Sequence, residues 1–120
     1  KSVLVVDDDV VNRKVMNAIV EKLGHKVTLA ENGQEAINIC RLRQFDIVLM
    51  DIKMPIVDGY EAVSVIRHIE GYQSSETPII ALTGFSLDGD KEEYLTGGFD
   101  DYLSKPVDMK EIAVKISDWT

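Results

Sequence analysis

The sequence predicts an α/β fold in which a parallel sheet is covered by helices on both faces, and three observations carry that prediction. Apolar runs of strand length alternate with segments of helical period along all 120 residues. Two of the runs, Ile47 to Met50 and Pro78 to Leu82, show no polar alternation, as expected of strands buried on both sides. A capping residue also stands three positions before a glutamate at Asn32 and Glu35, Asp58 and Glu61, and Asp108 and Glu111, each ahead of a helical pattern.

Taken in order, Val3 to Val6 form the first strand, closed by Asp7, Asp8 and Asp9. Val11, Val15, Met16, Ile19, Val20 and Leu23 then recur at helical spacing, with Asp9 as N-cap and Gly24 as the stop. Lys26 to Ala30 read as a short second strand. The next helix carries Ala36, Ile37, Ile39 and Cys40, with Cys40 as small core filler. The third strand ends abruptly on Asp51, and the turn signals Pro55 and Asp58-Gly59 follow before a helix bearing Val63, Ile66 and Ile69. After a polar loop from Gly71 to Thr77, the fourth strand ends on Thr83. The segment 86–96 is expected to be the least stable helix, because Gly89 and four acidic residues leave it little apolar face. Tyr102 and Leu103 form a short fifth strand running into Ser104-Lys105-Pro106, and the last helix bears Ile112, Ala113, Ile116 and Trp119. Five strands thus alternate with five helices, which implies right-handed crossovers.

Bulk properties narrow the function. The chain is long enough for one core and too short for two. With 13 basic and 21 acidic residues, its net charge of −8 argues against direct nucleic-acid binding, which needs a concentrated basic surface. Cys40 is the only cysteine, so no internal disulfide is possible and a reducing compartment is expected. No apolar run approaches the ~20 residues needed to cross a bilayer, and no signal peptide precedes the first strand, so no membrane contact by this domain is expected. The absence of an initiator methionine suggests a piece of a longer chain. His25 and His68 are expected to face solvent, without metal-ligand neighbours.

In a parallel sheet the residues just past the carboxyl ends of the strands share one edge, where such folds place their chemistry. Asp7, Asp8, Asp51, Thr83 and Lys105 are therefore expected to converge. Three carboxylates in one pocket repel, at about 4 kcal/mol for a like-charged pair ~4 Å apart in an effective dielectric near 20. Lys105 offers one compensating charge, and a hard divalent ion such as Mg²⁺ would offer two more. A carboxylate, a Mg²⁺ site, a hydroxyl and an ammonium are the parts needed to transfer a phosphoryl group to the carboxylate itself. A phosphoryl group on Asp51 would draw the Thr83 hydroxyl toward it and vacate space for an aromatic ring, for which Tyr102 is the candidate.

VLVVDDD, LMDIKMPIVDG, ALTG and GGFDDYLSKP resemble the receiver domain of two-component response regulators, the CheY-like family, across essentially the whole chain. The resemblance implies one receiver domain over residues 1–120, with a flavodoxin-like (βα)5 three-layer sandwich and strand order 2-1-3-4-5. It implies that Asp51 accepts phosphate from the phosphohistidine of a histidine kinase or a histidine phosphotransfer protein. Asp8, Asp51 and the backbone carbonyl of Lys53 would then ligate Mg²⁺, with Asp7 acting largely through bound water. Thr83 and Tyr102 would be the switch pair, and Lys105-Pro106 a cis bond. The output face would be the helix over 86–96, the fifth strand and the last helix. Lys53 and Phe85 line the pocket entrance in this family.

The DDYLSKPVD segment and Asn12-Arg13 are similar to receivers fused to hybrid sensor histidine kinases, which would place the domain in the cytoplasm, free or as part of a membrane-bound kinase. Gly84 stands where the family usually has alanine. Competing classes lack their parts. A dinucleotide fold needs a glycine-rich turn where Asp7-Asp8-Asp9 stand, a P-loop is absent, and a haloacid dehalogenase phosphatase needs an aspartate where Lys53 stands. The alternative that remains is a receiver-like interaction domain that is not phosphorylated. Whether the domain counts as an enzyme stays open, since it would promote its own phosphorylation while serving as acceptor.

Overall fold

The computed structural model describes residues 1–73, 77–84, 93 and 95–120. Its strands are β1 (Ser2–Val6), β2 (Lys26–Ala30), β3 (Ile47–Asp51), β4 (Ile79–Thr83) and β5 (Asp101–Ser104). The helices among the described residues are α1 (Val10–Lys22), α2 (Gly33–Leu42), α3 (Gly59–Ile66) and α4 (Met109–Trp119). The helix expected over 86–96 falls mostly outside the described residues, although Glu93, Leu95 and Thr96 near its end are helical. Phe85 lies outside them as well.

All neighbouring strands pair in parallel, in the order β2-β1-β3-β4-β5. Successive side chains of a strand point to opposite faces, so the central strands feed two separate cores. Leu4, Val6, Val48, Met50, Ile79 and Ala81 pack on one side with residues of α2 and α3. Val3, Val5, Ile47, Leu49, Ile80 and Leu82 pack on the other with Met16 and Val20 of α1 and Ile112 and Ile116 of α4. Full burial of β3 and β4 explains their unbroken apolar sequence.

Every predicted cap is made. Asp9 accepts from the amides of Val11 and Asn12, Asn32 from Glu35, Asp58 from Glu61 and Asp108 from Glu111. The expected apolar face of α1 is only partly realised, because its six residues span about half the helix circumference, wider than the sheet covers. Met16 and Val20 are buried, but Val11 and Val15 at the margin are 63% and 47% exposed. Helix α3 ends at Ile66, before Ile69, and His25 is half-buried.

Gly59 shows how the end of β3 is coupled to α3. Its amide bonds the Ile52 carbonyl at 2.7 Å, and a Cβ there would lie 2.5 Å from the Asp51 carbonyl oxygen. Only glycine lets the helix start this close to the strand end.

Candidate functional site

The register places the site. Val6 pairs with Met50, so Asp7 and Asp51 leave adjacent strands at the same level. Asp51 pairs with Leu82 and Thr83 with Ser104, which sets Thr83 one step and Lys105 two steps further along the same edge. The Lys105 amide bonds the Thr83 carbonyl at 2.7 Å, and the Lys105-Pro106 peptide is cis. The Lys105 ammonium thereby lies 2.9 Å from Asp51 Oδ2 and 3.3 Å from Asp7 Oδ2.

Asp7, Asp51 and Thr83 are buried, whereas Asp8 is exposed at the pocket's mouth. One carboxylate oxygen from each of Asp7, Asp8 and Asp51 falls within 4.8 Å of the others. Lys53, with an exposed side chain, shares a shallow hollow with Asp8, Met54, Pro55 and Asp58, and its amide bonds the Asp51 carboxylate. On the other side, a cleft of about 460 Å³ opens beside Asp7 and Lys105, walled by Val15, Pro106 and Val107.

The charges do not balance among these residues, with three carboxylates facing one ammonium. Burial pushes the Asp51 carboxyl above its ordinary range, with the Asp7 charge acting the same way, and the bonds from Lys105 and Lys53 only partly offset this. Burial pulls Lys105 down, but the hydrogen bond and charge of Asp51, with those of Asp7, outweigh it and hold the ammonium protonated. Clustered hard oxygens with excess negative charge suit a hard divalent cation, and the donor set fits Mg²⁺.

Of the residues singled out in the sequence, Asp7, Asp8, Asp51 and Lys105 come together, with Thr83 beside them. Tyr102 sits one strand over, half-buried against the core on the α2 and α3 side. Sequence reasoning missed the role of Arg13, whose guanidinium donates to the Asp7 backbone carbonyl at 2.7 Å and lies 3.7 Å from Glu31. Its signals were a place on the first turn of the helix that follows the acidic run and the likeness of Asn12-Arg13 to hybrid-kinase receivers, neither of which points to a bond with a backbone carbonyl.

Known proteins resemble this chain over most of its length. The family model described as the response regulator receiver domain matches residues 3–117. The hybrid signal transduction histidine kinase I of Dictyostelium discoideum is 38% identical over 115 residues, covering 92% of this chain but 7% of that protein. The chain therefore spans a small part of that relative's length. The receiver domain of the sensor histidine kinase PA1611 from Pseudomonas aeruginosa, solved with a magnesium ion in its active-site cleft, is 38% identical, with a TM-score of 0.90 over 99% of this chain and 96% of that one. The Saccharomyces cerevisiae Ssk1 receiver domain, solved in complex with the histidine phosphotransfer protein Ypd1, is 33% identical, with a TM-score of 0.90 over 98% of this chain and 87% of that one.

Proposed function

The chain belongs to the receiver-domain family of response regulators, and from that premise we propose that Asp51 takes a phosphoryl group from a partner's phosphohistidine. The observation that carries the proposal is the pairing of a buried aspartate at the end of a central strand with an ammonium 2.9 Å away. An Asp51 oxygen attacks phosphorus in line with the phosphoimidazole nitrogen. The P–N bond breaks, the P–O bond of an acyl phosphate forms, and imidazole leaves.

Lys105 holds its charge against the acceptor and neutralises the phosphoryl oxygens as they approach, while the Thr83 hydroxyl donates to one of them. Asp8, Asp51 and the Lys53 carbonyl would hold Mg²⁺, with Asp7 acting largely through water, and the ion would supply further charge neutralisation on the phosphoryl group. The phosphoryl group then draws Thr83 inward and lets Tyr102 shift. That change is passed to the face that includes β5 and α4. Kinship with hybrid kinases and with a receiver solved on its phosphotransfer partner favours a phosphorelay, with a histidine kinase or histidine phosphotransfer protein as donor. Among the described residues no helix is long and apolar enough to cross a membrane. A cytoplasmic place, free or within a membrane-bound kinase, fits that role.

Incubation with Mg²⁺ and acetyl phosphate, followed by intact mass, tests the assignment. Wild type is expected to gain one phosphoryl group and Asp51→Asn none. A wild type that gains nothing would instead favour an interaction domain that is never phosphorylated, and equal labelling of Asp51→Asn would move the acceptor elsewhere.

A further inference from the structure

We propose that Arg13 is a positioning residue for the metal-binding carboxylates, acting through the peptide that joins Asp7 to Asp8. The inference rests on the Mg²⁺ site described above. The Asp7 carbonyl and the Asp8 amide belong to one planar unit, so fixing the carbonyl fixes the direction in which the chain enters Asp8. Arg13 fixes it at 2.7 Å, from a side chain only 13% exposed.

The two acidic neighbours differ in what holds them. Asp7 is pinned on several sides, its amide to Ala30, one carboxylate oxygen by the Asp9 amide at 2.9 Å and the other by Lys105. Asp8 is exposed, and its carboxylate makes no hydrogen bond to any described residue. Its position is therefore set by the main chain, which the Asp7 carboxylate holds at the peptide after Asp8 and Arg13 clamps at the peptide before it.

Arg13 is poorly placed to act as a charge partner. Among the described residues the carboxylate within ion-pair distance is that of Glu31, 3.7 Å away on a side chain 67% exposed, whereas the short bond of Arg13 goes to a neutral carbonyl. Electrostatics and positioning then predict opposite signs. A cation near a dication site weakens metal binding by repulsion, so its removal should tighten binding if charge were all that mattered. Loss of the clamp should loosen binding, because the freed Asp8 must be ordered each time the ion binds.

The test compares wild type, Arg13→Met and Arg13→Lys by Mg²⁺ titration at constant ionic strength, following the Asp8 and Lys53 amide resonances well below the melting temperature. Arg13→Met is expected to bind Mg²⁺ about tenfold more weakly, and Arg13→Lys, which can still donate to the carbonyl, to recover most of the loss. Equal or tighter binding by Arg13→Met overturns the inference while leaving the metal site intact. No saturable Mg²⁺ response in wild type overturns the metal site and the inference with it. Should Arg13→Met not fold, Arg13→Gln carries the same comparison, since its shorter side chain cannot span the same distance.

Discussion

The two ends of the sheet handle buried charge in opposite ways. At the amino end, the Arg67 guanidinium meets Asp100 at 2.5 Å and also donates to the carbonyls of Gly98, Tyr72 and Thr77. Asp100 additionally accepts from the Ile79 amide at 2.8 Å, where β4 begins. Among the described residues one cation faces one carboxylate, and the arrangement ties α3 to the loop after it and to the start of β4. At the carboxyl end, Asp7 and Asp51 share the Lys105 ammonium, and the third carboxylate, Asp8, is left to its backbone. Balanced charge closes one end as structure, and unbalanced charge leaves the other dependent on a ligand.

The sharpest way to break that comparison is Arg67→Met. It takes the guanidinium from the largely buried Asp100 carboxylate and from three carbonyls, so a loss of about 3 kcal/mol is expected in urea denaturation, the low end of the range for breaking a buried pair on one side. A loss below 1 kcal/mol would mean that the amino end is no better balanced than the other.

A partly exposed pair at the start of β5 gives a smaller effect. Lys115 and the Trp119 indole both bond Asp101 Oδ2, and the Tyr102 amide bonds Oδ1. Partial burial raises the Asp101 carboxyl, but these bonds outweigh it and hold the group below its ordinary value. A depressed folded-state value means that the contribution is complete above the unfolded carboxyl range and is lost as pH falls from there through the lower folded-state value. Asp101→Asn is therefore expected to cost about 1 kcal/mol at neutral pH, and the gap from wild type should narrow as pH falls below about 4. A gap independent of pH would remove charge from the account.

Smallest is the effect of removing charge from the unbalanced end. In metal-free buffer Asp51→Asn relieves repulsion with Asp7 while retaining an acceptor for Lys105, so stability is expected to hold or to rise by up to about 1 kcal/mol. A clear fall in the melting temperature would show Asp51 to be a structural anchor like Asp100.

Local signals made most of the fold and the central pocket legible. Apolar runs gave the strands, capping residues gave the helix starts, and parallel topology alone brought Asp7, Asp51 and Lys105 to one edge. The Arg67–Asp100 anchor was invisible because its partners are 33 positions apart, and neither lies in a pattern that demands the other. Arg13 was noticed only as part of a resemblance, since a side chain that holds a backbone carbonyl leaves no spacing rule in sequence. The exposure of Val11 and Val15 escaped periodicity for a different reason, because helical spacing does not say how wide a stripe the facing sheet can cover.

The bond between Trp119 and Asp101 has an optical consequence. Trp119 is the sole tryptophan, and it is anchored at the end of β5 remote from Lys105. Its emission should therefore report whether α4 is docked on the sheet while staying nearly silent to an ion arriving among the distant carboxylates. The domain thus contains an intrinsic gauge of folding that is insulated from occupancy of its pocket. With it, weakened metal binding in a variant can be separated from simple loss of structure in the same cuvette.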